Sequence, residues 1–380
     1  MSTMHSPLEN VLLTLCERNA GRMSFETFME NALYAPQLGY YQNTLPKFGA
    51  EGDFITAPHI SPIFSQCLAR VCQQTLQSIG KEAIILELGA GNGQLAIDLL
   101  LWLEKNNSLP EAYWILETSG VLKQEQQSRL RKALPKFYDK IVWLYQLPPN
   151  FKGILIANEV LDALPVARFR LHPETGAVEE EFVAHRQDSW QFEYASPESP
   201  DFSKRVDALL SALPHRLPNG YTSEINLILP YFIKSFADKL DQGLMLWIDY
   251  GFPQKEFYHP ERTQGTRMCH HKHHAHDTPL KHIGEQDITA HVDFTALAMA
   301  GQAANLDILG FTTQANFLIY AGLESLLPSD LALKAQAQQS QAIQTLTLPH
   351  EMGELFKVMI LGRNIEPLTG FSEFDQRYRL

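Results

Sequence analysis

The stretch AIILELGAGNGQL at residues 83–95 decides the fold class of this chain. Apolar residues lead to Glu87, glycines follow at alternate positions (Gly89, Gly91 and Gly93), and leucines then recur at a helical period. This order predicts a buried strand, a tight turn and a helix. Glycines let such a turn adopt positive φ and let a ligand come close to the backbone, while the start of the helix offers unpaired N–H groups. The stretch therefore predicts a site for a ligand that contains a nucleoside.

The glycine spacing distinguishes two classes of nucleoside cofactor. A dinucleotide-binding turn has a third glycine at the position that Gln94 occupies here. Glu87 would also repel a pyrophosphate, whereas it can hold a cationic amino-acid group directly or through water. S-adenosylmethionine (SAM) carries such a group, so the sequence favours SAM over NAD. A turn that binds no ligand is the remaining alternative, although no structural need accounts for three glycines so close together.

The composition narrows the class of protein. With 380 residues, 45% hydrophobic and 19% charged, the chain has the length of one large domain or two ordinary ones and the make-up of a soluble globular protein. Its net charge of -12 argues against a nucleic acid bound by a broad basic surface, and it is compatible with a basic protein or peptide as partner. Its four cysteines show no C-x-x-C pair and no zinc spacing, which is typical of reduced thiols.

The N-terminal sequence and the hydropathy predict a cytoplasmic, bacterial protein. The opening residues, MSTMHSPLENVLLTLCERNA, lack the charged and apolar regions of a signal peptide and the Arg- and Ser-rich character of a transit peptide. No apolar run approaches the about 20 residues that span a bilayer.

An aromatic and glycine-rich stretch, residues 34–57, lies between two predicted N-terminal helices and a helix that begins at Ser61-Pro62. Because most loops are polar, an aromatic loop either packs over the core or covers a ligand, and the sequence leaves both interpretations open. If it covers the ligand, Tyr41, Asp53 and Thr56 are its candidate contacts.

Polar residues follow the next predicted strands. Residues 113–116 form a short strand closed by Glu117, an acid placed to accept hydrogen bonds from both ribose hydroxyls, with a solvated charge as the alternative. A third strand at 141–145 is followed only by Gln146, where many nucleoside sites place an acid against the adenine amino group. The predicted cofactor contacts are Glu87, Gly89, Ala90, Gly91, Gly93, Glu117, Ser119, Asn158, Asp53, Thr56 and Tyr41.

The segment NEVLDALP, residues 158–165, follows an entirely apolar strand, GILIA at 153–157. Ligands of doubly wound sheets bind beyond the carboxyl ends of the strands, so Asn158 and Glu159 are expected beside the reacting end of the cofactor. Asp162 lies three residues after Glu159 and shares its side if the segment is helical. In the alternative, structural interpretation, Asn158 caps the turn and the acids are solvated.

Three regions are predicted along the chain. Residues 1–80 form an N-terminal helical extension, and residues 81–165 and 241–380 form the SAM-binding domain. Residues 166–240 begin with a polar stretch rich in Glu, Ser and Pro, and they are predicted to form an inserted substrate-cleft subdomain. A late strand at 312–317 is expected to return to the sheet.

Eight of the 14 histidines lie between His259 and His291. A metal site is one interpretation, but metal ligands usually come from rigid elements at fixed intervals. This run is punctuated by Pro and Gly and has no matching Cys or His partner. The sequence therefore favours a mobile loop over the active site, with no metal.

These stretches together resemble the MidA family of protein arginine methyltransferases, which includes the mitochondrial complex I assembly methyltransferase and its bacterial relatives. The resemblance runs from about Ser24 to Arg363. The glycine turn is shared by SAM enzymes generally, whereas the NEVLDALP and QDITAHVDF segments are specific to this family. The matching segments are GDFITAP (52–58), ELGAGNG (87–93), NEVLDALP (158–165), Asp249-Tyr250-Gly251 and GEQDITAHVDF (284–294).

The resemblance implies a class I SAM-dependent methyltransferase fold, in which a seven-stranded, mostly parallel sheet lies between helices, and methyl transfer to an arginine of a partner protein. For the mitochondrial member that partner is a core subunit of respiratory complex I; for bacterial members the resemblance supplies no secure substrate. Two positions depart from the family pattern. His59 stands where the family usually has Glu, and Glu224-Ile225-Asn226-Leu227 stands where it has E-x-S-P, which weakens the transfer of a substrate role to Glu224.

Arginine methylation needs acids near the methyl group of the cofactor, because the guanidinium is protonated and its donors match a carboxylate bidentately. Glu159 and Asp162 are the predicted acids that hold and polarise it, with Asp249 and His291 as secondary candidates for orientation or proton removal. Three alternatives remain: an NAD-dependent oxidoreductase, which Gln94 disfavours, a SAM-dependent enzyme acting on a small molecule, and a SAM-binding assembly factor without catalysis. The oligomeric state is left open, with a homodimer as one candidate.

Overall fold

The computed structural model describes residues 5–45, 56–272, 274–327 and 332–380. The predicted cofactor contact Asp53 lies outside the described residues. The helices are α1 (Pro7–Arg18), α2 (Phe25–Tyr34), α3 (Ala57–Ile60), α4 (Pro62–Ile79), α5 (Gln94–Lys105), α6 (Gly120–Ala133), α7 (Pro200–Ala212), α8 (Leu229–Ala237), α9 (Gln254–Phe257), α10 (Phe294–Ala303), α11 (Gln314–Tyr320), α12 (Leu333–Thr347) and α13 (Met352–Leu355). The strands are β1 (Arg22–Ser24), β2 (Ile84–Leu88), β3 (Tyr113–Leu116), β4 (Ile141–Leu144), β5 (Phe151–Asn158), β6 (Ala167–Leu171), β7 (Val178–Arg186), β8 (Ser189–Ala195), β9 (Thr222–Ile225), β10 (Leu240–Phe252), β11 (Met268–His271), β12 (His274–His276), β13 (Asp287–Thr289), β14 (Val292–Asp293), β15 (Asp307–Thr313) and β16 (Phe356–Arg363). No helix in these ranges is long and apolar enough to cross a bilayer.

Contacts within the chain group it into two compact units. The sheet unit comprises residues 55–161, 230–252 and 294–380, and the insertion unit comprises residues 1–54, 162–229 and 253–293. This grouping cuts across the predicted regions, because the first part of the N-terminal extension and the histidine-rich segment fall in the same unit as the insertion.

In the sheet unit the strands follow the order β15-β16-β10-β5-β2-β3-β4. The strands from β10 to β4 run parallel to their neighbours, while β16 is antiparallel to both β10 and β15. Leu88 of β2 lies opposite Ala157 of β5 and Leu116 of β3. These three strands therefore end side by side, and the residues that follow them share one edge of the sheet.

Helices α4 and α5 contribute their apolar faces to the core of the sheet unit. Phe64 of α4 and Leu99 of α5 are fully buried in the same apolar cluster as Ile85 of β2. Burial of each such side chain contributes about 1.5–3 kcal/mol. The Ser61 hydroxyl accepts the Ile63 N–H at 3.2 Å and caps α4, so the helix start predicted at Ser61-Pro62 is confirmed.

The late strand predicted at 312–317 is wrong for its last four residues. β15 ends at Thr313, and α11 begins at the next residue. The Thr313 hydroxyl accepts the Asn316 N–H at 3.3 Å, which satisfies one of the free donors at the helix start. A short apolar run fits both a buried strand and a buried helix, so periodicity alone could not place this boundary.

The larger sheet of the insertion unit takes one strand from the start of the chain. Its order is β1-β7-β6-β9, with β8 also paired to β7. Met23 of β1 lies opposite Val183 of β7 in an antiparallel pair. Leu12 and Phe28, from α1 and α2, are fully buried in the same core as Val183, so the N-terminal segment and the insertion form one folded body.

The histidine-rich segment contains strands, so the prediction of a loop was wrong for these residues. β11 pairs antiparallel with β12 on one side and with β13 on the other. The pairing of β11 with β13 joins residues 268–270 to residues 287–289, and no local sequence pattern predicts it. Within the described ranges, no three His, Cys, Asp or Glu side chains are grouped so that they could hold a metal ion.

Candidate active site

Polar residues gather at the carboxyl ends of the parallel strands in the sheet unit. Glu87 lies near the end of β2, Glu117 follows β3, Asn158 ends β5 and Asp249 lies near the end of β10. Open α/β sheets bind their ligands beyond this edge. The structure therefore brings together the residues that the sequence predicted from separate strands.

The glycines of the turn after β2 all adopt left-handed backbone conformations. The φ angle is +59° at Gly89, +53° at Gly91 and +82° at Gly93, a region in which other residues are strained. A Cβ atom at Gly89 would lie 3.3 Å from the Val160 side chain. The absence of a side chain thus also lets the turn approach the NEVLDALP segment, and Ala90 is buried within it.

Glu87 is a buried carboxyl group next to this turn. The Tyr113 hydroxyl donates a hydrogen bond of 2.7 Å to it. Burial, together with the neighbouring Glu117, raises the pKa of Glu87 to about 7. In the described part of the chain no cationic side chain contributes to this pKa. A buried carboxylate without a cation is costly, so a cationic ligand group would be stabilised here, as the ammonium group of SAM would be.

Glu117 presents a hydrogen-bonded carboxylate after β3. One oxygen accepts the Ser119 N–H at 2.8 Å, and the other accepts the side-chain amide of Gln126 at 3.0 Å. Burial raises the pKa of Glu117, while these hydrogen bonds lower it. The Ser119 hydroxyl accepts the Leu122 N–H at 3.4 Å and caps α6. Ser119 therefore orients Glu117 through its backbone, and its side chain serves the helix.

Gln126 belongs to this site, although the sequence did not reveal it. Its side chain is fully buried. The amide nitrogen donates to the Gly91 carbonyl at 2.8 Å and to Glu117, and the amide oxygen accepts the Trp143 indole N–H at 2.9 Å. One side chain thus joins the glycine turn, the end of β3 and the strand β4.

A pattern in α6 could have identified this residue. Gln126 lies four residues after Leu122 and four residues before Leu130, and all three are buried on one face of an otherwise polar helix. A polar residue on a buried helical face needs hydrogen-bond partners, and that requirement is the signal for a site.

Charged residues hold the glycine turn from another side. Arg129 donates to the Asn92 carbonyl at 2.9 Å and to the Gln94 side chain at 2.6 Å. Gln94 in turn donates to Asp98 at 2.9 Å. The residue that replaces the third glycine of a dinucleotide-binding turn is therefore fixed by an arginine and an aspartate.

Thr56 and His59 also lie beside this turn. Thr56 Oγ1 and His59 Nδ1 are 2.8 Å apart. Burial lowers the pKa of His59, and a hydrogen bond with the Asn92 side chain opposes this shift. The position where the family usually has Glu therefore holds an imidazole that is neutral near pH 7 and interacts with the glycine turn.

The NEVLDALP segment begins as a turn and not as a helix. Glu159 and Asp162 therefore do not share one face of a helix, as they would if the segment were helical. Glu159 has a φ of +54°, which is strained for a residue with a side chain. One oxygen of Asp249 accepts the Val160 N–H at 3.1 Å and the Leu161 N–H at 2.9 Å. Asp249 thus stabilises the strained turn, and strain of this kind clusters at functional sites.

Asn158 provides a buried acceptor at the same strand end. Its amide nitrogen donates to the Glu159 carboxylate at 3.1 Å. Its amide oxygen is buried and has no hydrogen-bond partner among the described residues. Buried polar atoms are nearly always paired, so this oxygen fits a donor from a ligand.

The other candidates lie in the insertion unit. The carbonyl of the buried Asp162 accepts the Ala290 N–H at 3.0 Å, and the His291 N–H donates to the Thr266 hydroxyl at 3.1 Å. The backbones that carry Asp162 and His291 are therefore joined within this unit.

Tyr41 lies in the same unit and is partly buried. Its ring stacks on Tyr34, with ring centroids 5.5 Å apart, and the Tyr34 hydroxyl donates to the Ala163 carbonyl at 2.9 Å. Burial, followed by the charge of Asp287, raises the pKa of Tyr41 well above its usual range. The phenol is therefore neutral, and its stacking partner Tyr34 contacts the DALP segment.

Glu224 belongs to a buried cluster of charged residues, the ionic tetrad, which consists of Arg168, Glu181, Glu224 and Arg267. Arg168 lies 3.1 Å from Glu224 and 3.4 Å from Glu181, and Arg267 lies 2.8 Å from Glu181. Glu224 also accepts the Thr266 N–H at 2.8 Å and the Arg267 N–H at 3.3 Å. Both oxygens of Glu224 thus have partners within the protein, which gives no support to a role as a substrate-binding acid.

Comparison with known proteins identifies the class that this fold and site define. Residues 67–312 match the family described as "Putative S-adenosyl-L-methionine-dependent methyltransferase". The structure superposes with a TM-score of 0.91 on that of a COG1565 superfamily member from Burkholderia thailandensis bound to S-adenosyl-homocysteine (SAH), with 35% sequence identity over 99% of both chains. The match to the family, at residues 67–312, covers more than half of the chain. The chain belongs to this family of SAM-dependent methyltransferases, and its cofactor is SAM.

Curated relatives narrow the family further. Protein arginine methyltransferase NDUFAF7, mitochondrial, from Danio rerio is 28% identical over 94% of this chain and 90% of its own length. The Homo sapiens protein of the same name is 27% identical over 95% of this chain and 86% of its own length. The resemblance to the MidA family is therefore confirmed.

Proposed function

We propose that this methyltransferase modifies an arginine side chain of a partner protein. Its relatives in several animals are named protein arginine methyltransferases, and they match it over most of both chains. The observation that carries the proposal is the strained turn at Glu159, which Asp249 holds and which Gly89 approaches closely. An acid is thus fixed next to the turn that binds the cofactor. The strand order supports a class I methyltransferase sheet.

The residues of the turn would hold the amino-acid end of SAM, with Glu87 opposite its ammonium group. Glu117 would accept hydrogen bonds from the ribose, and the unpaired oxygen of Asn158 would accept a donor of the cofactor. SAM, when bound, would supply a methyl group on a sulfonium centre, which is transferred to a nucleophile as the carbon–sulfur bond breaks and SAH leaves as a thioether. The proposed cofactor contacts are Glu87, Gly89, Ala90, Gly91, Gly93, Glu117, Ser119, Asn158, Asp53, Thr56 and Tyr41.

Glu159 and Asp162 would hold the guanidinium of the acceptor arginine. A guanidinium keeps its proton at any working pH and presents paired donors that a carboxylate matches. Carboxylates fix its orientation and stabilise the positive charge. Asp249 would orient the turn that carries Glu159. Its two oxygens accept the N–H groups of Val160, Leu161 and Tyr250. His291 would accept the proton that the methylated nitrogen releases.

The test uses methyl-labelled SAM, lysate from cells that lack this chain, and the purified enzyme. Label should enter protein and be recovered as methylarginine after hydrolysis. Glu159→Gln should abolish transfer, because an uncharged amide cannot form the bidentate, charge-assisted pair with the guanidinium, while the affinity for SAM stays within a few-fold. Glu104→Gln, at an exposed position of α5, is the matched control and should transfer normally. Unchanged transfer by Glu159→Gln would remove this residue from the mechanism, and label found only in small molecules would overturn the assignment of the acceptor.

Several finer points belong to the same proposal. We propose that residues 166–240 shape the substrate cleft, that the acceptor is a subunit related to respiratory complex I, and that the enzyme is a cytoplasmic homodimer. Mass spectrometry of methylarginine in cells with and without this chain would test the acceptor. Cell fractionation and sedimentation of the purified protein would test its location and its assembly.

A further inference from the structure

The buried amide of Gln126 has a fixed orientation. Its nitrogen donates to two acceptors, Gly91 and Glu117, at 2.8 and 3.0 Å, and its oxygen accepts from the Trp143 indole at 2.9 Å. If the amide were rotated by half a turn, its oxygen would face two acceptors and its nitrogen would face a donor. The three partners therefore allow one orientation only.

We infer that Gln126 is a positioning residue of the cofactor site, which orients Glu117 so that its carboxylate accepts the 2′-hydroxyl of the SAM ribose. This inference rests on the proposed ribose contact of Glu117.

The hydrogen bonds of Glu117 leave room for the ribose. A carboxylate has about four lone-pair sites. One Glu117 oxygen accepts the Ser119 N–H, the other accepts the Gln126 amide, and the Thr118 backbone also donates a hydrogen bond to this carboxylate. These three donors leave one of the four sites for a ribose hydroxyl. Because a carboxylate can rotate about its terminal bond, a donor on only one oxygen would leave the plane of the carboxylate poorly defined.

Gln126 also connects the two ends of the cofactor site. The carbonyl that it binds belongs to Gly91, the middle glycine of the turn, which has a φ of +53°. The same amide nitrogen thus fixes the turn that would hold the amino-acid end and the acid that would hold the ribose. A change at this position should alter recognition of the ribose hydroxyls more than it alters the rest of the site.

The test measures the affinity of the full-length protein for SAH and for its 2′-deoxy analogue by calorimetry. The wild-type protein should prefer SAH by about tenfold, because the analogue leaves one carboxylate site without a partner. In Gln126→Leu and in Gln126→Met, which has a similar length, the preference should fall to about twofold. Gln124→Leu, at an exposed position of the same helix, is the control and should keep the wild-type preference.

The outcomes distinguish the positioning role of Gln126 from the ribose contact of Glu117. A folded Gln126 variant that binds more weakly but keeps the full preference would show that Gln126 only supports the fold, and it would overturn the inference. A wild-type protein without any preference would instead remove the ribose role of Glu117. Because both variants could lose stability, a further measurement uses the wild-type protein. The indole N–H resonance of Trp143, assigned with Trp143→Phe, should shift on binding SAH more than on binding the analogue, and equal shifts would also overturn the inference.

Discussion

The sheet unit and the insertion unit each bury a polar cluster, but the two clusters differ in charge. In the sheet unit a neutral amide, Gln126, makes three hydrogen bonds. In the insertion unit the ionic tetrad sets two arginines against two glutamates. A hydrogen bond of a neutral group contributes about 1 kcal/mol, whereas a buried charge left without its partner costs several. We therefore expect changes in the Gln126 cluster to alter ligand affinity, and changes in the ionic tetrad to alter the free energy of unfolding.

The largest expected effect follows from removing one arginine of the tetrad. Arg168→Leu leaves the buried carboxylates of Glu181 and Glu224 with Arg267 alone. The free energy of unfolding should fall by about 3–5 kcal/mol, measured from urea denaturation. Arg18→Leu, at the exposed end of α1, is the control and should change it by less than about 0.5 kcal/mol. Equal losses in the two variants would mean that the tetrad does not hold the fold.

The next effect concerns Glu87, a buried acid. Its proposed cationic partner is the ammonium group of the ligand. Its pKa of about 7 means that it is ionised above that pH and protonated below it. Only the ionised form attracts the ammonium group of SAH, so the Kd should rise as the pH falls below about 7, by up to about tenfold per pH unit. Calorimetry at a series of pH values measures this. Glu87→Gln should bind weakly with a flat profile, and a flat wild-type profile would refute the ammonium contact.

The smallest effect concerns Glu26, a carboxyl group of the insertion unit outside the tetrad. Burial, followed by the charges of Glu30 and Glu180, raises its pKa from 4.5 to about 7. A raised folded pKa gives stability that is present below about pH 4.5 and is lost as the pH rises through about 7. Glu26→Gln should therefore raise the Tm by about 2 °C near pH 8 and leave it unchanged near pH 4. Glu17→Gln, exposed on α1, should change neither value.

The features that could be predicted from the sequence have local causes. The strand, turn and helix around Gly89, Gly91 and Gly93 depend on neighbouring residues, and the structure forms them where the pattern indicated. The polar residues at the strand ends were also predictable, because parallel strands place their carboxyl ends together. Capping residues such as Ser61 fixed helix starts for the same reason.

The features that could not be predicted depend on distant partners. Gln126 binds a carbonyl 35 residues away, Thr266 donates to Glu224 across 42 residues, and Asp249 holds the Glu159 turn across 89. The helical period can mark Gln126 as a buried polar residue, and Asp249 was a candidate from its motif. Their hydrogen-bond partners form only when the chain folds back, so periodicity and spacing do not identify those partners.

The strand at Arg22–Ser24 bears on how the chain folds during synthesis. It pairs with residues 182–184, so the ribosome must release nearly half of the protein before this strand finds its neighbour. Until then the apolar sides of the first two helices lack this partner strand. Long-range pairing of this kind slows folding and favours aggregation. Yield during expression should therefore depend on the rate of translation between these two segments.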